Sequence, residues 1–378
     1  MKYHLLVICI LLVMLVGCAE ENIIEDLGIV TVYGFDKDED TGHLLATTVL
    51  YQFDPDITNA SQIINSEGDT LQGVKRNANK ESGHKITNGQ LRVILFGPSL
   101  SKEDGFIEHL DTLGRDAKLS DIVYIAVSDQ PSDQVLASTN YEEAPNIGAY
   151  LHQLIETAVR NEEITSSTYH EYLRDYFQVG RDPVLPLLSV DSEKVTIKNI
   201  AALQDDKVVG DFTIEEGFYI RLMVDQFDSG LIELKLPIEP FEDHLEEYAE
   251  IEDPHIYAVI DKINSNTDIT MESKNPPSFE VKIDIDGRVI ELSRQLNLDD
   301  PETLDVLETQ VTKQMEKELE EVINKAQEMN ADVFGFGVKY NNNTRGEDLT
   351  KEQWREMFTD IEVETTIKIN IERHGTVQ

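Results

Sequence analysis

Residues 279–292 read FEVKIDIDGRVIEL, and residues 301–329 read PETLDVLETQVTKQMEKELEEVINKAQEM. In the first stretch Phe279, Val281, Ile283 and Ile285 alternate with polar residues, the period of two that lines one face of a strand. Asp286-Gly287 is a turn-forming pair, so the stretch predicts a β-hairpin at that point. In the second, Asp300 supplies a cap and Pro301 a pre-set first helical residue, and Leu304, Leu307, Val311, Met315, Leu319, Val322, Ala326 and Met329 recur at intervals of three and four. One helix of about 30 residues, roughly 45 Å long, is implied. Its other faces carry Glu and Lys, which predicts a helix packed on a sheet rather than a coiled-coil strand or a partner groove. After it come ADVFGFGVKY, a short helix around Trp354, and a last strand on which Val363, Thr365, Ile367, Ile369 and Ile371 face one way. The C-terminal region is therefore expected to be one long helix on an antiparallel-rich sheet.

Working back from there, LIELKLPI (231–238) and HIYAVIDKI (255–263) read as strands, and Thr213 with Glu216 forms a capping box that opens a short helix through about Val224. VTIKNIAAL (195–203) and KVVGDF (207–212) read as strands around an Asp205-Asp206 turn. GRDPVLP (180–186) breaks helix periodicity and predicts a crossing between regions. In the N-terminal half, LGIVTVYGF and HLLATTVLYQF enclose DKDEDTG as a hairpin. A helix near Thr70–Asn79, a strand Leu91–Phe96, a helix near Lys102–Leu113 and a strand Asp121–Val127 follow, and the stretch from Pro131 to about Gln178 is mostly helical. The fold class expected from this order is α+β or mixed α/β, multidomain, with mixed sheets covered by helices.

The chain has 378 residues, of which 40% are apolar, enough for folded cores. Lys and Arg number 32 against 73 Asp and Glu, a formal net charge of -41, and such a surface repels nucleic acid and anionic lipid alike. At the amino end Lys2 precedes an apolar run from Leu5 to Val16, too short for the roughly 20 residues of a membrane-spanning helix and of the form of a secretory leader. Leu15-Val16-Gly17-Cys18 resembles the lipobox of bacterial lipoproteins, in which a diacylglyceryl group is attached to the cysteine sulfur and the lipidated residue becomes the new amino terminus. Residues 1–17 would be the signal peptide and residues 18–26 an acidic tether. Cys9 would leave with the leader and Cys18 would be alkylated, which excludes disulfides, thiol catalysis and cysteine-ligated metal.

The motifs of catalysis fail one by one. The acidic loop Asp36–Thr47 has Thr41 where a calcium-binding EF-hand places glycine and Thr47 where it places a bidentate glutamate, so it reads as a solvated turn. The nine histidines form neither His-Glu-x-x-His nor His-x-His. Gly97-Pro98-Ser99-Leu100-Ser101 lacks the second glycine of a nucleophile elbow, and Ser99 is expected to cap the next helix instead. Gly335-Phe336-Gly337 lacks the third glycine of a dinucleotide loop. No catalytic, cofactor-binding or metal-ligating residue is assigned, and no cofactor or direct small-molecule ligand.

In order along the chain, the lipobox ending in Cys18, Leu27–Val30 with Gly34–Lys37, Gly89–Ile94, Arg115-Asp116, Gly180–Pro186, the long helix and Ala331–Gly337 resemble the Ger(x)C spore germination lipoproteins, the C subunits of nutrient germinant receptors in endospore-forming bacteria. The resemblance implies an N-terminal germination-protein domain over 27–190 and a C-terminal Ger(x)C-type domain over 195–378, divisible into 195–265 and 266–378. It also implies a non-enzymatic lipoprotein on the outer face of the spore inner membrane, held by its lipid anchor beside two integral membrane subunits. Only Cys18 carries over with a chemical role, as the site of S-diacylglycerol attachment and N-acylation. The alternatives are a solute-binding lipoprotein of a transporter, which would need a cleft between two similar α/β lobes, and an envelope hydrolase, which would need a convergent acid, base or nucleophile group; a deep pocket with perturbed carboxylates would favour either. For Asp182-Pro183 and the Phe-Gly-Phe-Gly run, a rigid turn and close backbone packing are expected, with direct partner recognition as the alternative.

Overall fold

A parallel strand at the centre of a sheet buries both faces, and Val93-Ile94-Leu95-Phe96, with no solvent exposure at any of the four, marks such a centre. The computed structural model, which describes residues 27–52, 61–138, 144–245, 253–344 and 349–372, builds a nine-stranded sheet around it. Its strands are β1 (Leu27–Lys37), β2 (Leu44–Gln52), β3 (Ser61–Gly68), β4 (Lys85–Thr87), β5 (Val93–Phe96), β6 (Tyr124–Ser128), β7 (Val184–Asp191), β8 (Lys194–Gln204) and β9 (Lys207–Phe212). They lie in the order β3-β2-β1-β5-β6-β7-β8-β9, with β4 beside the start of β1. The central four, β1, β5, β6 and β7, run parallel, and antiparallel hairpins extend both sides. The expected crossing at 180–186 is thus partly strand: Val184, Leu185 and Pro186 open β7, and the sheet continues to Phe212.

Helices α1 (Leu71–Glu81), α2 (Ile107–Gly114), α3 (Ser132–Leu136), α4 (Ile147–Arg160) and α5 (Tyr169–Phe177) cover this sheet. Alternation along the strands sends Tyr33, Phe35, Ile94 and Phe96 to α1, α2 and α5, and sends Val32, Val93, Leu95 and Ala126 to α3 and α4. The helix expected over 102–113 arrives in two pieces, a π-helical turn Ser99–Asp104 and then α2. Gly105 breaks it at φ +92°, where the Asp206 carboxylate fills the place of a Cβ. The same carboxylate accepts the Ile107 N–H at 2.9 Å. A residue of the β8–β9 turn therefore starts this helix, and no local signal in the sequence encodes that.

The second sheet contains β10 (Gly230–Pro237), β11 (His255–Lys274), β12 (Pro277–Leu292) and β13 (Glu362–Ile371) in that order, antiparallel except for the last pair. β11 passes through Ser265 without a break. Helix α6 (Ile214–Val224) opens with the Thr213–Glu216 capping box, and α7 (Pro301–Met329) with Asp300 accepting the Thr303 N–H at 3.1 Å. The stripe Leu307, Val311, Met315 and Leu319 on α7 is wholly buried and belongs to one continuous core with Phe279, Val281 and Ile283 of β12. That core runs on through α6 to one face of the first sheet, so the two sheets share it. The short helices α8 (Phe336–Asn343) and α9 (Lys351–Phe358) complete the C-terminal region.

The hairpin expected at Asp286-Gly287 is not there. β12 runs straight through, and the chain reverses at Asn275-Pro276. Opposite Gly287 the β11 register shifts between Asp261 and Asn264, with Lys262 at φ 52°, which makes a bulge. A Cβ on Gly287 would lie 2.8 Å from Ile260 Cγ2, so the glycine permits the close approach of a bulged neighbour rather than a turn. Arg288 pins the far side with a two-pronged bond to Asp261, at 2.8 and 2.5 Å.

Candidate functional site

At the end of α7, Asn330 adopts the left-handed conformation and Ala331–Gly337 folds back against GRDPVLP, some 150 residues earlier in the chain. The centre of this junction is Asp332, 1% exposed. Its Oδ1 accepts the N–H groups of Gly335 and Phe336 at 2.7 and 3.1 Å, and its Oδ2 accepts the Gly337 N–H at 2.8 Å and the Trp354 indole N–H at 2.9 Å. The Asp332 N–H donates to Asp182 Oδ2 at 2.9 Å, and the Asp182 N–H returns a bond to the Asp332 carbonyl at 2.8 Å. The backbones touch next to these bonds: a Cβ on Gly180 (φ +88°) would lie 2.2 Å from the Gly337 carbonyl carbon. Only glycine fits there.

A charged rim closes the junction. Arg355 lies 3.4 Å from Asp182 and 2.9 Å from Asp205, and Lys351 lies 2.8 Å from Asp205, sits over the Tyr176 ring and donates to the Tyr176 carbonyl. Burial, together with the charge of Asp182, pushes the Asp332 carboxyl up to about 6, against the pull of the three amides it accepts. Burial likewise raises Asp182, with Arg355 opposing. For Asp205 burial pushes upward too, but Arg355 and Lys351 outweigh it and hold the carboxyl below its ordinary value. Every oxygen of Asp332 is spent on the chain's own donors, so the cluster is a structural clasp between the two sheets, with no valence left for a substrate.

A crevice of about 780 Å³ opens at the carboxyl ends of β1, β5 and β6, lined by Asp36, Glu67, Ser99, Glu103, Asp133 and neighbours. Ligands of open α/β sheets settle in this position. Its innermost charged group, Asp36, accepts the Ser132 N–H at 2.8 Å and the Ser132 hydroxyl at 2.5 Å. Burial raises this carboxyl to about 6, with the Ser132 bonds opposing. Ser99 does not cap a helix; its Oγ accepts the Lys37 N–H at 2.8 Å, which leaves the Gly97-Pro98-Ser99 stretch a strand-end clamp. Among the described residues no three His, Cys, Asp or Glu side chains are grouped to hold a metal ion.

The sequence landmarks gather in three places. Leu27–Val30, Gly89–Ile94 and Arg115-Asp116 meet at the leading end of the parallel strands, where Asn88 bridges Tyr33 and Asp116 at 2.8 and 2.7 Å. Gly34–Lys37 borders the crevice, and Gly180–Pro186 meets Ala331–Gly337 at the clasp. Trp354, Arg355, Asp205, Lys351 and Ser132 complete these sites and carry no signal in the sequence beyond a lone tryptophan on a predicted helix. Cys18, the leader 1–17 and the tether 18–26 lie outside the described residues. No helix among the described residues is long and apolar enough to cross a membrane.

A two-sheet α+β scaffold joined by a buried carboxylate clasp, with an acid-lined crevice at the carboxyl ends of its parallel strands, is the class of protein these features define. Residues 20–190 match the spore germination protein N-terminal domain, and residues 198–375 match the spore germination B3/GerAC-like C-terminal domain. The chain belongs to the Ger(x)C family of spore germination proteins. It is 25% identical over 370 residues to the spore germination protein GerQC of Bacillus cereus, covering 98% of each chain. It is 20% identical over 394 residues to the spore germination protein KC of Bacillus subtilis (strain 168), covering 96% of this chain and 93% of that one. The crystal structure of the GerBC protein shares the fold, with a TM-score of 0.52 at 16% identity over 90% of this chain and 97% of that one.

Two predictions follow from the buried carboxylates. Asp332→Asn turns an amide NH2 toward donors that need an acceptor, and should cost about 2–4 kcal/mol in urea denaturation, more than Trp354→Phe, which removes one donor of four. Asp36 has a folded value of about 6, above its ordinary 3.8, so the stabilisation it gives is complete below the ordinary value and is lost as pH rises through about 6. Relative to Asp36→Asn, the parent chain should lose roughly 2–3 kcal/mol of stability from about pH 4 to about pH 7, measured by denaturation at each pH.

Proposed function

We propose that this protein is a membrane-anchored lipoprotein subunit of a spore nutrient germinant receptor. It acts without catalysis, on the outer face of the spore inner membrane, beside two integral membrane subunits. The observation that carries this reading is the match of both germination-protein domains along nearly the whole chain, joined to a lipobox sequence ending at Cys18. Supporting it, buried Asp332 spends both carboxylate oxygens on the chain's own N–H groups, and Asp36 accepts the Ser132 N–H and hydroxyl. Two acyl chains give stable anchoring where one gives only marginal binding, and anchoring raises the effective concentration of the scaffold at its companions. Cys18→Ala should abolish nutrient germination while the exported domain still folds, as read by spore optical-density loss and by circular dichroism of the purified chain. Normal germination by that variant at parental protein level would contradict the proposal.

A further inference from the structure

From Thr70 through Arg92 the chain carries Lys75, Arg76, Lys80, Lys85 and Arg92 and only one acid, Glu81, in a protein whose net charge is -41. The fold gathers part of this run at one place. Lys85 pairs with Leu27 at the first position of β1, and the Arg92 N–H donates to the Thr31 carbonyl one strand further in. Lys118 reaches the Thr87 hydroxyl at 3.1 Å, and Thr87 in turn pairs with Ile29. Lys80, Lys85, Arg92 and Lys118 are all exposed. None of Lys85, Arg92 and Lys118 has an ion-pair partner among the described residues, whereas the nearby Lys75 and Arg115 are paired with Asp116 and Asp111. Glu81, Asp111 and Asp121 are exposed acids of the same end, Asp111 already paired with Arg115. Ile122, in the loop just before β6, is 74% exposed and stands highest among the exposed large apolar side chains of the described residues.

This end is also where the chain enters the fold. Leu27 is nine residues past Cys18, a span of at most about 30 Å when fully extended. Exposed charges further apart than about 8 Å are largely screened at physiological ionic strength, so what a lipid surface meets is the local patch and not the net charge of the whole chain. Basic side chains next to an apolar one, at the end where Leu27 enters the fold, suit phosphate headgroups with the apolar tip at the boundary of the acyl region.

We infer that the leading end of the first sheet, with Lys85, Arg92, Lys118 and Ile122, is a docking face for anionic phospholipid headgroups, which orients the anchored domain with this end toward the membrane. The inference rests on the lipid anchoring of Cys18. Its test uses the full lipoprotein carrying Ile122→Cys labelled with an environment-sensitive fluorophore, in vesicles of phosphatidylcholine alone or with phosphatidylglycerol, each with a headgroup-level quencher. Flotation reports the anchor and quenching reports the orientation. The chain should float with both vesicles, and the label should be quenched only with phosphatidylglycerol. That quenching should vanish in high salt and in the Lys85→Glu, Arg92→Glu, Lys118→Glu variant, which should still float. A label at Leu231→Cys, on β10 of the other sheet, should stay unquenched. Quenching that is equal on neutral vesicles, that survives charge reversal, that appears at residue 231 instead, or that requires added integral membrane proteins would overturn the docking face alone. A chain that fails to float with neutral vesicles would overturn the anchoring, and the docking face with it.

Discussion

One buried carboxylate holds the two halves of this protein in register. Asp332 sits just past the end of the long helix, takes three backbone N–H groups and the indole of Trp354, and through its own backbone exchanges bonds with Asp182, in the connection that leads into β7 of the first sheet. A buried acceptor of this kind costs little when every donor is satisfied and a great deal when one is lost. Arg355 ties the pair to Asp205, so the β8–β9 turn, the strand β7 and the helix α9 converge on one cluster. The contact between Gly180 and Gly337 is the steric counterpart: any side chain at either position would push the sheets apart.

Away from the clasp, apolar packing does most of the work. The stripe of α7 covers the second sheet, and the same helix guards its edge, where Glu316 and Glu308 accept the N–H groups of Ile367 and Ile371 on β13, each at 2.9 Å. An edge strand with unpaired amides would template further strands, and carboxylates laid along it prevent that. The result is a scaffold with committed polar groups and two distinct surfaces, an acid-lined crevice at one end of the parallel strands and a basic face at the other.

Much of this was legible in the sequence, because it was written locally. The period of α7, its Asp300 cap and Pro301, the Thr213–Glu216 box and the alternation of β13 each depend on residues a few positions apart. What failed depended on distant residues. Asp286-Gly287 looks like a turn until Ile260 and the bulge at Lys262 are placed opposite it. The helix after Pro98 looks continuous until Asp206 arrives to cap Ile107, and Ser99 looks like a cap until Lys37 claims its oxygen. The clasp was half legible: its two stretches stood out as breaks in pattern, but no spacing rule joins Asp182 to Asp332. The basic end of the first sheet was hidden for a different reason, since total charge averages over surfaces that never face the same partner.

The central claim is that the clasp makes both sheets one cooperative unit. Trp354 is the single tryptophan of the chain and donates directly to Asp332, so its fluorescence reports the clasp itself. Equilibrium urea unfolding followed in parallel by Trp354 fluorescence and by far-ultraviolet circular dichroism measures this most directly. Superimposable curves with one midpoint are predicted. A fluorescence transition completed while the strand and helix signal of either half persists would contradict it.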